Sequence, residues 1–434
     1  MIPTSIVRIW FLGLFSWVLL GTGIYLSHKW YQRAWSYDFN LQRSYFDPHI
    51  GYNHETLLLL VAACLLFWVL AGGLIVRSIL SLLTKAKNPK GEGQLPRKSR
   101  EGATISRLGR PDGSELQVEC YGREDAPPII LTHGWGANST EWDYLKKELA
   151  AEFRLIVWDL PGLGRSTRPT NRDYSMENLS RHLEAVLGLA GDRPAILLGH
   201  SIGGMITLTF CRIFPQALGD RVRGIALVHT TYTNPVRTTN MAGLLTALER
   251  PVIVPLLHLT IWLSPLLWLS NLMSYLNGSA LLSTKSSGFA GTETWEELDF
   301  VARFQLQASP AVMARGMLGM LRYDATAVLK AINVPALVLA GDRDSVCKPE
   351  ASQRMHRDIP GSQLAQLAPA KHMGLIEHHT RFAEIVRTFS SLCFPSDPNA
   401  ASSPKRRALG NHPPTSSHLS EGRPRDFHSD PAIG

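Results

Sequence analysis

Residues 195–205 run Ala-Ile-Leu-Leu-Gly-His-Ser-Ile-Gly-Gly-Met, with a serine held between glycines directly after an apolar run and directly before a helical one. The apolar run predicts a short buried strand, and Met205 to Phe214, closed by Pro215, predicts a helix. A strand that turns sharply into a helix lifts the serine Oγ clear of the backbone, and the dihedrals of such a turn demand neighbours with almost no side chain. Gly199, Gly203 and Gly204 meet that demand, which makes Ser201 the candidate nucleophile. The pentapeptide alone also fits an ordinary turn; the flanking strand and helix favour the elbow.

A serine hydroxyl is a weak nucleophile until a general base takes its proton, and that base needs an acid to hold its tautomer. Residues 334–344, Val-Pro-Ala-Leu-Val-Leu-Ala-Gly-Asp-Arg-Asp, predict a buried strand opening into a loop with two carboxylates, Asp342 and Asp344. Leu364 to Leu367 predicts another strand, followed by Ala-Pro-Ala-Lys-His-Met-Gly with His372 at its centre and then an amphipathic helix. Acid and base therefore both follow strand C-termini, the edge where open parallel sheets carry their sites.

The chain order Ser, Asp, His is that of the α/β-hydrolases, and the surrounding motifs resemble that superfamily over about residues 102–392. Leu131-Thr-His-Gly-Trp-Gly resembles its oxyanion loop, Asp159-Leu-Pro-Gly-Leu-Gly-Arg-Ser its next turn, and Gly341-Asp-Arg-Asp-Ser-Val-Cys-Lys-Pro its acid loop. The resemblance implies Ser201 as nucleophile, His372 as base and Asp344 as the orienting acid, with Asp342 left as a turn-former. It also implies that the backbone N–H groups of Trp135 and Ile202 hold the oxyanion. Asp159 is expected to fix its own turn, His133 and His200 to serve as structural neighbours, and His229 to be a satisfied core or rim histidine.

The catalytic domain is expected over 102–394. It opens on a β-hairpin around Arg110-Pro-Asp-Gly, and strands and helices then alternate as a mostly parallel sheet covered on both faces requires. About a hundred residues separate the strand ending at Val228 from the one starting near Pro335, which predicts an inserted helical lid over about 234–325. Pro251 to Thr284 within it carries no formal charge. A true membrane span there would put Asp344 and Ser201 on opposite sides of a bilayer, which one sheet cannot straddle. Of the two remaining arrangements, core-packed or dipping one face into the bilayer, the second is preferred, with His258 a polar spot on the lid.

At 434 residues the chain exceeds what one such domain needs. Two uncharged runs, Ile9 to Ser27 and Thr56 to Val76, are long enough to cross roughly 30 Å of hydrocarbon and predict transmembrane helices over about 6–27 and 56–80 within a hairpin of residues 1–83. The first lacks the small-residue cleavage site of a signal peptide. A flexible basic linker is expected over 84–101 and a disordered tail over 395–434. The net charge of +8 suggests nucleic acid until its location is seen: residues 77–110 hold nine Lys or Arg against two Glu. A basic stretch directly after an apolar helix is the positive-inside signature and can also touch anionic lipid heads, so the catalytic domain is expected to face the cytoplasm and nucleic acid is not an expected partner. Five scattered cysteines without a Cys-x-x-Cys pair fit a reducing compartment, and no cofactor or metal site is predicted.

Together these features predict a membrane-anchored serine hydrolase of a lipid or other apolar ester, and the layout resembles the membrane-anchored monoacylglycerol lipases. The same serine chemistry also serves C–C bond hydrolases, thioesterases and acyltransferases, and a noncatalytic membrane scaffold is the alternative outside enzymes.

Overall fold

The computed structural model describes residues 3–46, 54–87 and 102–394. Most of the expected linker, residues 88–101, and the expected tail lie outside them. The chain opens with a long helix, α1 (Pro3–Ala34), an antiparallel pair, β1 (Trp35–Asp38) and β2 (Arg43–Phe46), and a second long helix, α2 (His54–Lys87). Both helices outrun the uncharged stretches. α2 enters the segment expected to be a tether because Asn88-Pro89 is the first helix-breaking pair it meets.

From residue 102 the expected alternation appears. A hairpin of β3 (Thr104–Gly109) and β4 (Glu115–Tyr121) leads into β5 (Pro128–Thr132), α3 (Asp143–Leu149), β6 (Arg154–Trp158) and α4 (Met176–Leu187). Then come β7 (Ala195–His200), α5 (Ile202–Ile213) and β8 (Val222–Val228). A helical insertion follows: α6 (Ala242–Leu248), α7 (Val254–Trp262), α8 (Ser264–Leu276), α9 (Ser279–Gly288), α10 (Trp295–Gln307) and α11 (Pro310–Leu321). The chain returns through β9 (Ala336–Gly341), α12 (Pro349–Asp358), β10 (Gln363–Leu367), α13 (Gly374–Glu377) and α14 (His379–Cys393).

The large sheet has the order β10-β9-β8-β7-β5-β6-β4-β3. Its β3–β4 and β4–β6 pairs are antiparallel and the rest parallel. The central strands are apolar throughout because they are covered on both faces, and their alternate residues sort between two cores. Ile130, Ile156, Leu197, Ile225 and Val338 pack toward the side of α4 and α5. Ile129, Val157, Leu198, Ala226 and Leu339 pack toward that of α3 and α14. The chain runs from β5 outward to β6, then reverses to β7 on the other side, so the C-terminal ends of β5 and β7 form a switch point of the kind that holds ligands.

The two N-terminal helices pair with each other and with the insertion. A π-helical turn at Glu249–Ile253, containing Pro251, joins α6 to α7. Ala242–Trp262 thereby becomes, with Ile9–Ala34 and Thr56–Thr84, one of three helical stretches long and apolar enough to cross a membrane. The Trp10 indole donates to the Thr260 hydroxyl at 2.9 Å, and the Trp17 indole to Ser270 at 2.9 Å. Asn277 donates to the Ser16 hydroxyl at 2.8 Å. Gly13, against Ser270, and Gly73, against the Leu276 carbonyl, let the backbones approach this closely. Arg77 caps the seam by lying over the Trp295 ring, 5.1 Å from its centroid.

Candidate active site

Ser201 sits between β7 and α5 with φ 54° and ψ −116°, a conformation side chains rarely adopt. The sequence permits it because the neighbours vanish. A Cβ on Gly199 would lie 2.2 Å from the Gly203 carbonyl carbon, and one on Gly203 would lie 2.3 Å from the Thr132 oxygen. The Thr230 hydroxyl and Gly204 N–H both donate to the Ser201 carbonyl and steady the elbow.

Ser201, His372 and Asp344 are brought into one hydrogen-bonded line. His372 Nε2 is 3.1 Å from Ser201 Oγ, and His372 Nδ1 is 2.9 Å from Asp344 Oδ2. Asp344 Oδ1 accepts the N–H groups of Val346 and Cys347 at 2.7 and 3.0 Å, so both carboxylate oxygens are fixed. Asp342 does something else: it accepts the Ala370 N–H at 2.7 Å and so pins the loop that carries His372. Ile202 begins α5, where helix N–H groups lack intrahelical partners. Trp135 lies on the loop after β5; its indole donates to the Met313 carbonyl at 3.1 Å, and Gly316 leaves room for the ring against α11.

The neighbouring polar residues divide unevenly. Asp159 accepts the N–H groups of Ser139 and Arg165 at 2.6 and 2.8 Å and so fixes its turn. His133 is bonded through both ring nitrogens, to the Gly134 carbonyl and from the Leu160 N–H, as a structural role requires. His258 is exposed and donates to the Val254 carbonyl. His200 stands between two oxygens, with Nδ1 3.0 Å from Glu141 Oε1 and Nε2 3.2 Å from the His372 carbonyl. Glu141 Oε2 in turn accepts the Gly134 N–H at 2.8 Å. This buried bridge ties the Trp135 loop to the His372 loop, and sequence reading missed Glu141.

His229 departs from expectation. It is buried, and among the described residues neither ring nitrogen has a hydrogen-bond partner; its Nδ1 lies 3.4 Å from Asp344 Oδ2. The residue follows β8 with φ 45°, a backbone conformation that side chains rarely adopt. It is not a satisfied core or rim histidine but a second imidazole against Asp344.

Burial acts to raise the Asp344 carboxyl, yet the facing His372 and His229 rings hold it well below the usual carboxylate range. Burial pulls the His372 imidazole down to about 4 against the raising influence of Asp344. A base must be neutral to accept a proton, so His372 is ready at neutral pH and is disabled only as pH falls through about 4. The profile of kcat/KM on a soluble ester is expected to stay flat from neutrality down to about pH 5 and to fall about tenfold per unit below about 4. An acid limb centred near the ordinary imidazole value, about 6.5, would contradict the buried arrangement.

A strand-elbow-helix, with acid and base following later strands of a mostly parallel sheet, defines the α/β-hydrolase class. The family model for the alpha/beta hydrolase fold matches residues 127–379, and the chain belongs to that family. Among curated relatives, a pimeloyl-[acyl-carrier protein] methyl ester esterase of Neisseria meningitidis serogroup C is 27% identical over 60% of this chain and 92% of its own length. An uncharacterized hydrolase of Bacillus subtilis is 24% identical over 64% of this chain and 95% of its own. Among solved structures, a thermophilic esterase from Thermogutta terrifontis superposes with a TM-score of 0.52 at 26% identity, over 67% of this chain and 99% of that one. These relatives support an esterase or related hydrolase.

Proposed function

We propose that this chain is a membrane-anchored serine hydrolase that cleaves a carboxylic ester of a lipid or other apolar substrate. The observation that carries the reading is the unbroken line from Asp344 through His372 to Ser201 on the strained elbow. Ser201 Oγ attacks the ester carbonyl carbon as His372 Nε2 takes its proton. The tetrahedral oxyanion is held by the Trp135 and Ile202 N–H groups, and collapse expels the alcohol, which receives that proton from His372. Water, activated by the same imidazole, then releases the acid from acyl-Ser201. A noncatalytic scaffold would have no need of a strained serine aligned on a paired base.

Two observations support the lipid setting. Exposed apolar side chains run along both N-terminal helices, such as Phe11 and Leu14 on α1 and Leu70 and Leu74 on α2, and continue on the insertion with Leu259, Trp262 and Leu266. The basic residues gathered after α2 support a hairpin formed by α1 and α2 with the domain on its cytoplasmic side. Ser201 is only 6% exposed, and the insertion meets the Trp135 loop through Met313, which supports reading the insertion as a lid whose apolar exterior gives an apolar ester a dry approach. With the full chain in vesicles, kcat/KM is expected to rise about threefold to fourfold for each methylene added to the acyl chain, from butanoate upward. A preference for short soluble esters, indifferent to vesicles, would sink the lipid reading.

A further inference from the structure

Beside the insertion, and outside the line of catalytic groups, two adjoining hollows of about 420 and about 520 Å³ share Arg172, Tyr174 and Arg315 among their walls. Arg322 lines the first, and Arg168 the second. The four guanidinium groups come from two separate segments, the turn after β6 and the helix α11 with Arg322 just past its end. Among the described residues none of the four is ion-paired. Of the carboxylates at the rim of the first hollow, Glu177 is paired with Arg212 and Asp173 accepts the Ser175 N–H that precedes α4, so the four arginines outnumber the negative charge left there. Arg172 has φ 57°, a conformation that a side chain seldom takes without cause. Burial first, then the nearby charges of Arg172 and Arg168, hold the Arg315 guanidinium below its ordinary value.

Unpaired arginines crowded together repel one another, and an anion with several acceptor oxygens relieves that repulsion through forked hydrogen bonds. The walls also offer the hydroxyls of Thr170, Ser264 and Ser309. Apolar groups share the same space: Ile261 and Leu318 in the first hollow, Pro265 in the second. Ile261 directly follows Thr260, the partner of Trp10, where the uncharged run of α1 begins. This placement rests on the membrane-anchored reading proposed above, under which the hollows open at headgroup depth on the cytoplasmic face.

We propose that the groove formed by Arg168, Arg172, Arg315 and Arg322 binds the phosphate of an anionic lipid headgroup. A free phosphate offers the same oxygens but nothing for Ile261, Leu318 and Pro265 to cover, which favours the lipid source. The groove also touches the catalytic architecture through one aromatic pair: Tyr174, in its wall, meets Trp135 of the oxyanion loop edge-on at 5.9 Å. A bound headgroup therefore sits one ring away from the loop that is to hold the oxyanion.

The test uses full-length protein in neutral detergent and short ether-linked lipids that cannot be hydrolysed, with binding measured by calorimetry. Di-O-hexyl phosphatidylglycerol is expected to bind about tenfold or more tighter than its phosphatidylcholine counterpart, and Arg168→Gln with Arg315→Gln to lose that difference. Fluorophosphonate labelling of Ser201 is expected to be unchanged in the double variant, which keeps this result separate from the fate of the ester-hydrolase reading. Arg172→Gln, on an exposed turn, provides a second variant with a smaller loss. Equal binding by wild type and variants overturns the proposal. So does inorganic phosphate binding as tightly as the lipid, or poly-glutamate binding in its place, which would assign the groove to an acidic protein.

Discussion

Ser201→Ala is expected to abolish ester hydrolysis and fluorophosphonate labelling together while leaving the thermal unfolding transition within a few degrees of wild type. Alanine has the same difficulty as serine at φ 54°, so the elbow is neither relieved nor further strained. Among the described residues the one side-chain partner lost is His372 Nε2. The chemical loss is far larger. Without the nucleophile the covalent route disappears, and removal of the corresponding group in serine hydrolases costs on the order of 10⁶ in kcat, leaving only what oxyanion binding supplies. Stopped-flow or steady-state rates on a chromogenic ester, with circular dichroism on the same sample, check both halves. Hydrolysis undiminished in the folded variant would remove Ser201 from the mechanism.

The second large effect separates two aspartates that stand two residues apart. In Asp344→Asn the amide oxygen still accepts the Val346 and Cys347 N–H groups, so the loop holds. The amide nitrogen, however, then faces His372 Nδ1 and favours the tautomer with its proton on Nε2, pointing at Ser201 when it should be receiving from it. A loss of about 10⁴ in kcat is expected. In Asp342→Asn the side-chain oxygen continues to accept the Ala370 N–H, and activity is expected to stay within about tenfold of wild type. The reverse order of losses would exchange the roles of the two residues.

The parts of this site legible in the sequence are those governed by rules of short range. The elbow announces itself because backbone sterics force glycine at Gly199 and Gly203, and an apolar run followed by a helical period needs no distant partner to be recognised. Asp344 and His372 follow from the chain order that this sheet imposes. What could not be read are residues whose meaning lies in a partner far along the chain. Glu141 looks like one more acidic residue in a turn until β5, β7 and the His372 loop bring it against His200 and Gly134. His229 looked like a rim histidine because nothing local signals its positive φ. The arginine groove joins residues 168 and 172 to 315 and 322, across the whole insertion. Nothing in the sequence around Ser270, Ser274 and Asn277 says which helix they will meet.

Ser270, Ser274 and Asn277 are buried where α1 lies against the insertion. The N-terminal helices are therefore not luggage that can be unclipped. A truncated chain starting at residue 102 would bare three polar side chains set in an apolar surface, together with Leu267 and Met273, and such a surface seeks a replacement partner in its own kind. A foreign apolar helix of equal length would bring no indole to Thr260 or Ser270 and no glycine to let the backbones close. Helices and insertion have been cut to fit each other, so a smaller working protein has to keep α1 and α2.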